Sequence, residues 1–210
     1  MTASAAGYFT ADRNHVARTW LIILLAVLHT GCAGRTQPAA PPSAAVSPID
    51  EAETLEEFQD EIDEYVELRN KLESKLPSLP TQAAPEQVHA HAIALGELII
   101  SARQRAKQGD MFFGQIEALI RERAQVVFAR PEGAQYKATI EDEQSERNVA
   151  ARVNQRYPDD LPLSAVPASV LVSLPPLPPE LQYRFLRRHL ILIDIGARII
   201  VDYLPDVLPR

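Results

Sequence analysis

The chain of 210 residues carries one thiol, Cys32, together with five histidines and 28 acidic side chains, and these bound the chemistry it can perform. Cys32 has no partner for an internal disulfide, so the fold must stand on its core and the thiol is left for modification. His89 and His91 are the nearest approach to a metal pair. Two residues apart on a helix, they point about 200° away from each other, whereas helical ligand pairs need a spacing of three or four. No H-E-x-x-H and no D-x-D-x-D-G loop occurs, and Ser101, Ser145, Ser164, Ser169 and Ser173 lie in no G-x-S-x-G context. The remaining constellation is Asp194, Asp202 and His189, which could meet across C-terminal strands as a polar site. Aspartates so placed more often close turns or bind backbone. No catalytic residue, cofactor-binding residue or metal ligand is assigned on this basis, and no cofactor is expected.

Cys32 ends a patterned run. Arg13, His15 and Arg18 form a weakly basic leader, Trp20 to Leu28 is uninterrupted apolar sequence, and Thr30 and Gly31 put small residues directly before the thiol. This stretch resembles the signal of bacterial lipoprotein precursors, whose lipobox ends on the cysteine that is acylated; His29 stands where an aliphatic residue is usual. The resemblance implies lipidation at Cys32 and a mature chain held on a membrane, since two or more acyl chains anchor stably where one does not. An ordinary signal peptide cut among Ala33, Gly34 and Ala39-Ala40 is the alternative. An uncleaved anchor is the weaker one, because a bilayer span needs about 20 apolar residues and Arg18 interrupts the run. Ala33 after the cysteine, rather than an aspartate, implies by the same resemblance an outer-membrane destination in a double-membrane host.

Residues 33 to 48 include TQPAAPPSAAVSP, a Pro, Ala and Ser stretch without apolar periodicity that reads as a tether. At roughly 3 Å per residue it would hold a folded part a few nanometres from a membrane. The rest, 49 to 210, is the length of one domain. Net charge is −7, and loss of a leader containing Asp12, Arg13 and Arg18 makes the mature chain one unit more acidic. With no basic strip and no interleaved aromatics, nucleic acid is excluded as a partner.

These residues need elements to position them. Leu55, Phe58, Ile62, Tyr65, Leu72 and Leu76 recur at three- and four-residue steps, predicting a helix over 50 to 76 with Arg69 as the one break in its apolar stripe. Its other faces carry ten acids from Asp50 to Glu67 before any basic residue. They suit the helix dipole and read as a solvated face leaning on Arg103, Arg105, Arg121 and Arg123, rather than as a calcium site or a dock for a basic partner. Pro85 opens a second helix, expected to run to about Gln108 with Gly109 terminating it, and Asp110 is placed to cap a third through Val127. Arg130-Pro131-Glu132-Gly133 breaks the chain, and 135 to 151 is either a fourth helix or an ordered loop.

From Val153 the texture changes, through Tyr157-Pro158, Leu161-Pro162 and Val166-Pro167, to a short apolar helix over 168 to 174. Pro175 to Pro179 is a stiff polyproline connector more than a ligand for aromatic grooves. Gln182 to Leu186, His189 to Ile195 and Arg198 to Tyr203 then alternate as three strands, with turns at Arg187-Arg188 and Gly196-Ala197. One face of this meander must pack on the helices. The fold class is therefore α+β, three or four helices in a small bundle followed by a short antiparallel meander. LQYRFLRRHLILIDIGARIIVDYLP resembles a hairpin module of exported bacterial proteins and, more loosely, the C-terminal hairpin of periplasmic nickel and cobalt homeostasis proteins, with Arg187 where the first turn usually has glycine. The stretch from Val153-Asn154 to Asp202 is similar to uncharacterised exported bacterial proteins. The expectation is a lipid-anchored cell-envelope protein that binds or scaffolds, with an envelope protein as partner; the rival is an envelope hydrolase or metal-handling protein using the helix-sheet junction.

Overall fold

Five helices precede a three-stranded antiparallel sheet in a computed structural model that describes residues 48–143 and 149–210. The leader, the lipobox with Cys32, the tether as far as Ser47, and Ser145 lie outside the described residues, and Pro48 already belongs to a helix. Helix α1 spans Pro48–Glu73, α2 Pro85–Ala102, α3 Gly114–Phe128, α4 Gly133–Asp142 and α5 Ala168–Leu171. The strands β1 (Leu181–Leu186), β2 (His189–Asp194) and β3 (Ile199–Leu204) pair in chain order, as α+β with a C-terminal meander requires.

The stripe of α1 buries Phe58, Ile62, Tyr65 and Leu72, and Arg69 is buried with them. Ser74, Lys75 and Leu76 continue past the helix as a tightened last turn, with N–H bonds back to Asn70, Leu72 and Glu73. The largest departure from expectation concerns α2. It stops at Ala102, six residues before Gln108, because the backbone from Gly109 to Phe112 is drawn onto a sheet carboxylate, Asp202, rather than continuing the helical ladder. Asp110 accordingly does not cap α3. Its carboxylate accepts from Lys107 N–H at 2.9 Å, and the N-cap position belongs to Phe113 in extended conformation. The polar stretch after residue 133 resolves into a helix only as far as Asp142, and α5 ends at Leu171, short of Leu174, with Pro167 as its N-cap residue.

Each strand has two faces, and both are covered. Towards the helices, Phe58, Phe112 and Tyr183 stack in series at 6.2 and 6.4 Å, and Phe128 meets Phe185 edge-on at 6.0 Å. On the far face Leu186, Ile191, Ile193 and Ile200 pack with Tyr157 under Leu161 and Leu163. The Pro-punctuated segment after Val149 is thus the second cover of the sheet, which is why β2 is nearly continuous apolar sequence. Arg187 supplies the left-handed residue of the first turn at φ 56°, a position that would ordinarily take glycine. In β3 the register shifts opposite Leu192 and Ile193, so that Asp202 pairs with Leu192 and Ile200 with Ile193, leaving Val201 as the extra residue. The bulge turns Val201 and Asp202 to the same, helix-facing side.

Candidate functional site

Asp194 and Asp202 are both fully buried on the helix-facing side of the sheet, Asp194 tying it to α1 and Asp202 to the loop between α2 and α3. Asp194 Oδ2 accepts from Tyr65 Oη at 2.9 Å and Arg69 Nε at 3.0 Å, both from α1, while its Oδ1 accepts from Ala197 N–H at 2.8 Å and closes the β2–β3 turn. Arg69 reaches on to Glu73, which His91 also meets at 3.4 Å. Burial opposes the Arg69 charge, but the Asp194 and Glu73 carboxylates outweigh it and raise its pKa. The Tyr65 hydroxyl is pushed well above its usual value by burial and then by the Asp194 charge, so it stays a donor. The break in the apolar stripe of α1 is therefore the helix's polar link to the sheet.

Asp202 collects backbone. Its Oδ2 accepts from Gly109, Met111 and Phe112 N–H at 3.1, 2.9 and 3.0 Å, and its Oδ1 from Gly109 and Tyr203 N–H at 3.0 and 2.7 Å. Burial pushes its carboxyl up, and these N–H groups pull it part of the way back. His189 stands on the opposite face of β2, where its ring lies edge-on to Tyr203 at 5.9 Å and its Nδ1 accepts from Asp206 N–H at 3.2 Å. Asp194, Asp202 and His189 do not come together as one site.

Arg103, at the end of α2, is the residue that joins these pieces. Its guanidinium lies 5.2 Å from the centre of the Tyr65 ring and donates to Val201 C=O, in the bulge, and to Asn154 Oδ1, all three hydrogen bonds at 3.3 Å. Asn154 answers from Nδ2 to Arg103 C=O at 2.6 Å, and holds a left-handed backbone at φ 61°. Burial lowers the Arg103 pKa against the pull of Tyr65, Asp202 and Asp110. In the sequence, the signals for this cluster were the interruption at Arg69 and the strand aspartates Asp194 and Asp202; Arg103 and Asn154 sit in no periodic pattern that marks them.

Above Arg103 opens a cleft of about 670 Å³ between α1 and residues 101–111. Glu61 and Glu64 form one wall, Arg105 and Asp110 line the other, and Tyr65 and Met111 supply apolar contact. Glu61 is held above the usual carboxylate range by burial and by Glu64, Asp110 and Asp60. Ser101 lines the cleft beside these carboxylates, and no histidine or thiol is among the lining residues. Acidic and basic side chains on its walls suit the cleft to recognition of a charged group.

His89 and His91 face different elements, His89 lying 3.8 Å from Asp159 and His91 against Glu73. Among the described residues no group of three His, Cys, Asp or Glu side chains is placed to hold a metal ion. Ser164 donates to Phe185 C=O and Ser173 to Val170 C=O, both structural contacts, while Ser169 Oγ is buried without a partner. Of the arginines expected beside the acidic face, Arg123 pairs with Glu51, Arg121 pairs with Glu117 on its own helix, and Arg103 and Arg105 border the cleft. No protein-family model, curated protein or solved structure matches this chain.

Proposed function

We propose that this chain is exported, acylated at Cys32 and held on a membrane of the cell envelope, facing the periplasm or the exterior, where it binds or scaffolds another envelope component rather than catalysing a reaction. The observation that carries the noncatalytic part is the engagement of the buried acids and bases at the helix-sheet junction. Asp194, Asp202, Arg69, Arg103 and Tyr65 all have protein partners at hydrogen-bonding distance. A hydrolase or a metal-handling protein working at that junction would need a group there free to take a proton or an ion. The export part rests on the basic leader, apolar run, small residues and cysteine from Arg13 to Cys32. Acylation of Cys32 also removes what would otherwise be a free thiol in an oxidising compartment.

Metabolic labelling with a palmitate analogue tests the reading, comparing the intact chain with Cys32→Ser in membrane and soluble fractions. Label and membrane association that both vanish with Cys32→Ser are expected. An unlabelled, soluble wild type would overturn the anchor and leave a secreted or periplasmic soluble protein. For the rival, a melting point raised by a divalent ion would revive the metal-handling reading, because a ligand bound only by the folded state must raise it.

A further inference from the structure

The end of the folded part where the tether joins carries the two most exposed large aliphatic side chains among the described residues, Val172 and Val126, with Leu171 beside Val172. Val172 is 84% exposed, Val126 55% and Leu171 40%. Leu171 ends α5 and Val172 follows it; α5 packs on α3, which bears Val126. Arg123 of α3 donates to Ser173 C=O at 3.2 Å and pairs with Glu51, in the first turn of α1. Glu51, Arg123, Val126, Arg130 and Ser173 together line a hollow of about 210 Å³. Residue 48, to which the tether connects, is therefore one helical turn from this apolar patch. The opposite end of α1 lies at the far side of a helix of 26 residues, about 39 Å long at 1.5 Å per residue.

We infer that the face formed by Leu171, Val172 and Val126, with Arg123 and Arg130 beside them, rests on the phospholipid bilayer to which the chain is anchored; this builds on the acylation of Cys32 proposed above. Two adjacent aliphatic side chains enter the acyl boundary while the exposed Arg130 head remains at headgroup phosphates and Arg123 stays paired with Glu51. Such a contact is weak alone. Covalent anchoring through a short tether raises the effective concentration of the patch at the surface to the millimolar range, so a millimolar contact is enough to fix orientation. The fifteen residues from Ala33 to Ser47 reach about 50 Å when fully extended. The near end needs little of that reach, whereas the far end would need most of it. With the patch on the membrane, the cleft over Arg103 and the acidic face of α1 are left to face partners.

The test uses the whole lipidated protein in phospholipid vesicles. Once Cys32 is acylated, a cysteine introduced by Val172→Cys is the one free thiol and takes an environment-sensitive fluorophore. Val88→Cys is the control, because Val88 is 47% exposed on α2 and lies near His91, which meets Glu73 at the far end of α1. Quenching by lipids brominated in their acyl chains is expected to be at least about threefold stronger at position 172 than at 88. Equal quenching in palmitate-labelled protein overturns the orientation and leaves the anchor standing. Absence of palmitate label overturns the anchor, and this inference with it. A dimer in solution that Val172→Asp dissociates, together with equal quenching, assigns the patch to a second copy instead.

Discussion

Replacing Asp194 by asparagine probes the link between α1 and the sheet with the least change of shape. The amide oxygen can still accept from Ala197 N–H and keep the β2–β3 turn closed, but a nitrogen now stands where Oδ2 accepted from Tyr65 and Arg69. The Tyr65 hydroxyl can turn and accept from the amide, but the Arg69 bond is lost and its buried charge is left without Asp194, so Asp194→Asn should cost about 3–5 kcal/mol. Arg69→Met removes the other partner and leaves a buried carboxylate with Tyr65 and Ala197 alone, for a cost of about 3–5 kcal/mol. In the double variant neither charge is stranded, so its cost should fall short of the sum of the two by about 2 kcal/mol. Glu73→Gln is the comparison, since the outer partner of Arg69 is more than a third exposed and its loss should cost no more than about 1 kcal/mol. Urea denaturation followed by circular dichroism, in detergent and with Cys32→Ser throughout, gives all four values. Single-variant costs that add to within about 0.5 kcal/mol would refute the claim that Arg69 and Asp194 act as a pair.

Asp202→Asn should cost about 3 kcal/mol, because an amide cannot accept the N–H groups that converge on both oxygens, and hydrogen exchange should speed up at Gly109, Met111 and Phe112 before it does in α2. Gly133→Ala should destabilise by about 3 kcal/mol, since its Cβ would fall 2.0 Å from Phe128 C=O, a backbone atom that cannot yield cheaply; a change under about 0.5 kcal/mol would count against that packing. His189 is held below its usual value of 6.5 by burial and by Arg187 and Arg188. The unfolded chain then takes the proton first, so the His189 contribution is complete above pH 6.5 and is lost as pH falls through 6.5 towards the lower folded value. His189→Asn, which keeps an acceptor for Asp206 N–H, should flatten that part of the stability profile, and an unchanged slope would refute the assignment.

Legibility followed periodicity. The stripe of α1 and the alternation of β1 and β2 are placed as their repeats require, whereas the bulge in β3 breaks the alternation at Val201. Boundaries set by one long-range contact were not legible. The sequence after Ala102 would continue as helix on local propensity, and it does not because Asp202, about ninety positions later, competes for its N–H groups. The second cover of the sheet was hidden for a similar reason, since the segment from Val149 to Leu163 has no period of its own and takes its place by packing on Ile191, Ile193 and Ile200. Arg69 is the exception. A charge inside an apolar stripe has to be paired, so the break itself announced a partner across the core, though not that the partner was Asp194.

The buried polar groups also divide the molecule into parts that can be altered separately. Asp194, Asp202, Arg69 and Arg103 tie α1 and the segment after α2, which frame the cleft, to the sheet behind them. Their removal should loosen the frame and lower stability whatever binds there. Glu64 and Arg105 line the same cleft but are exposed, so their substitution should leave stability within about 0.5 kcal/mol. A partner held by the cleft would therefore be lost with Glu64→Lys or Arg105→Glu in a chain that melts normally. Retention of an envelope partner by both variants would move the binding surface elsewhere on the molecule, without disturbing the account of how the frame is held.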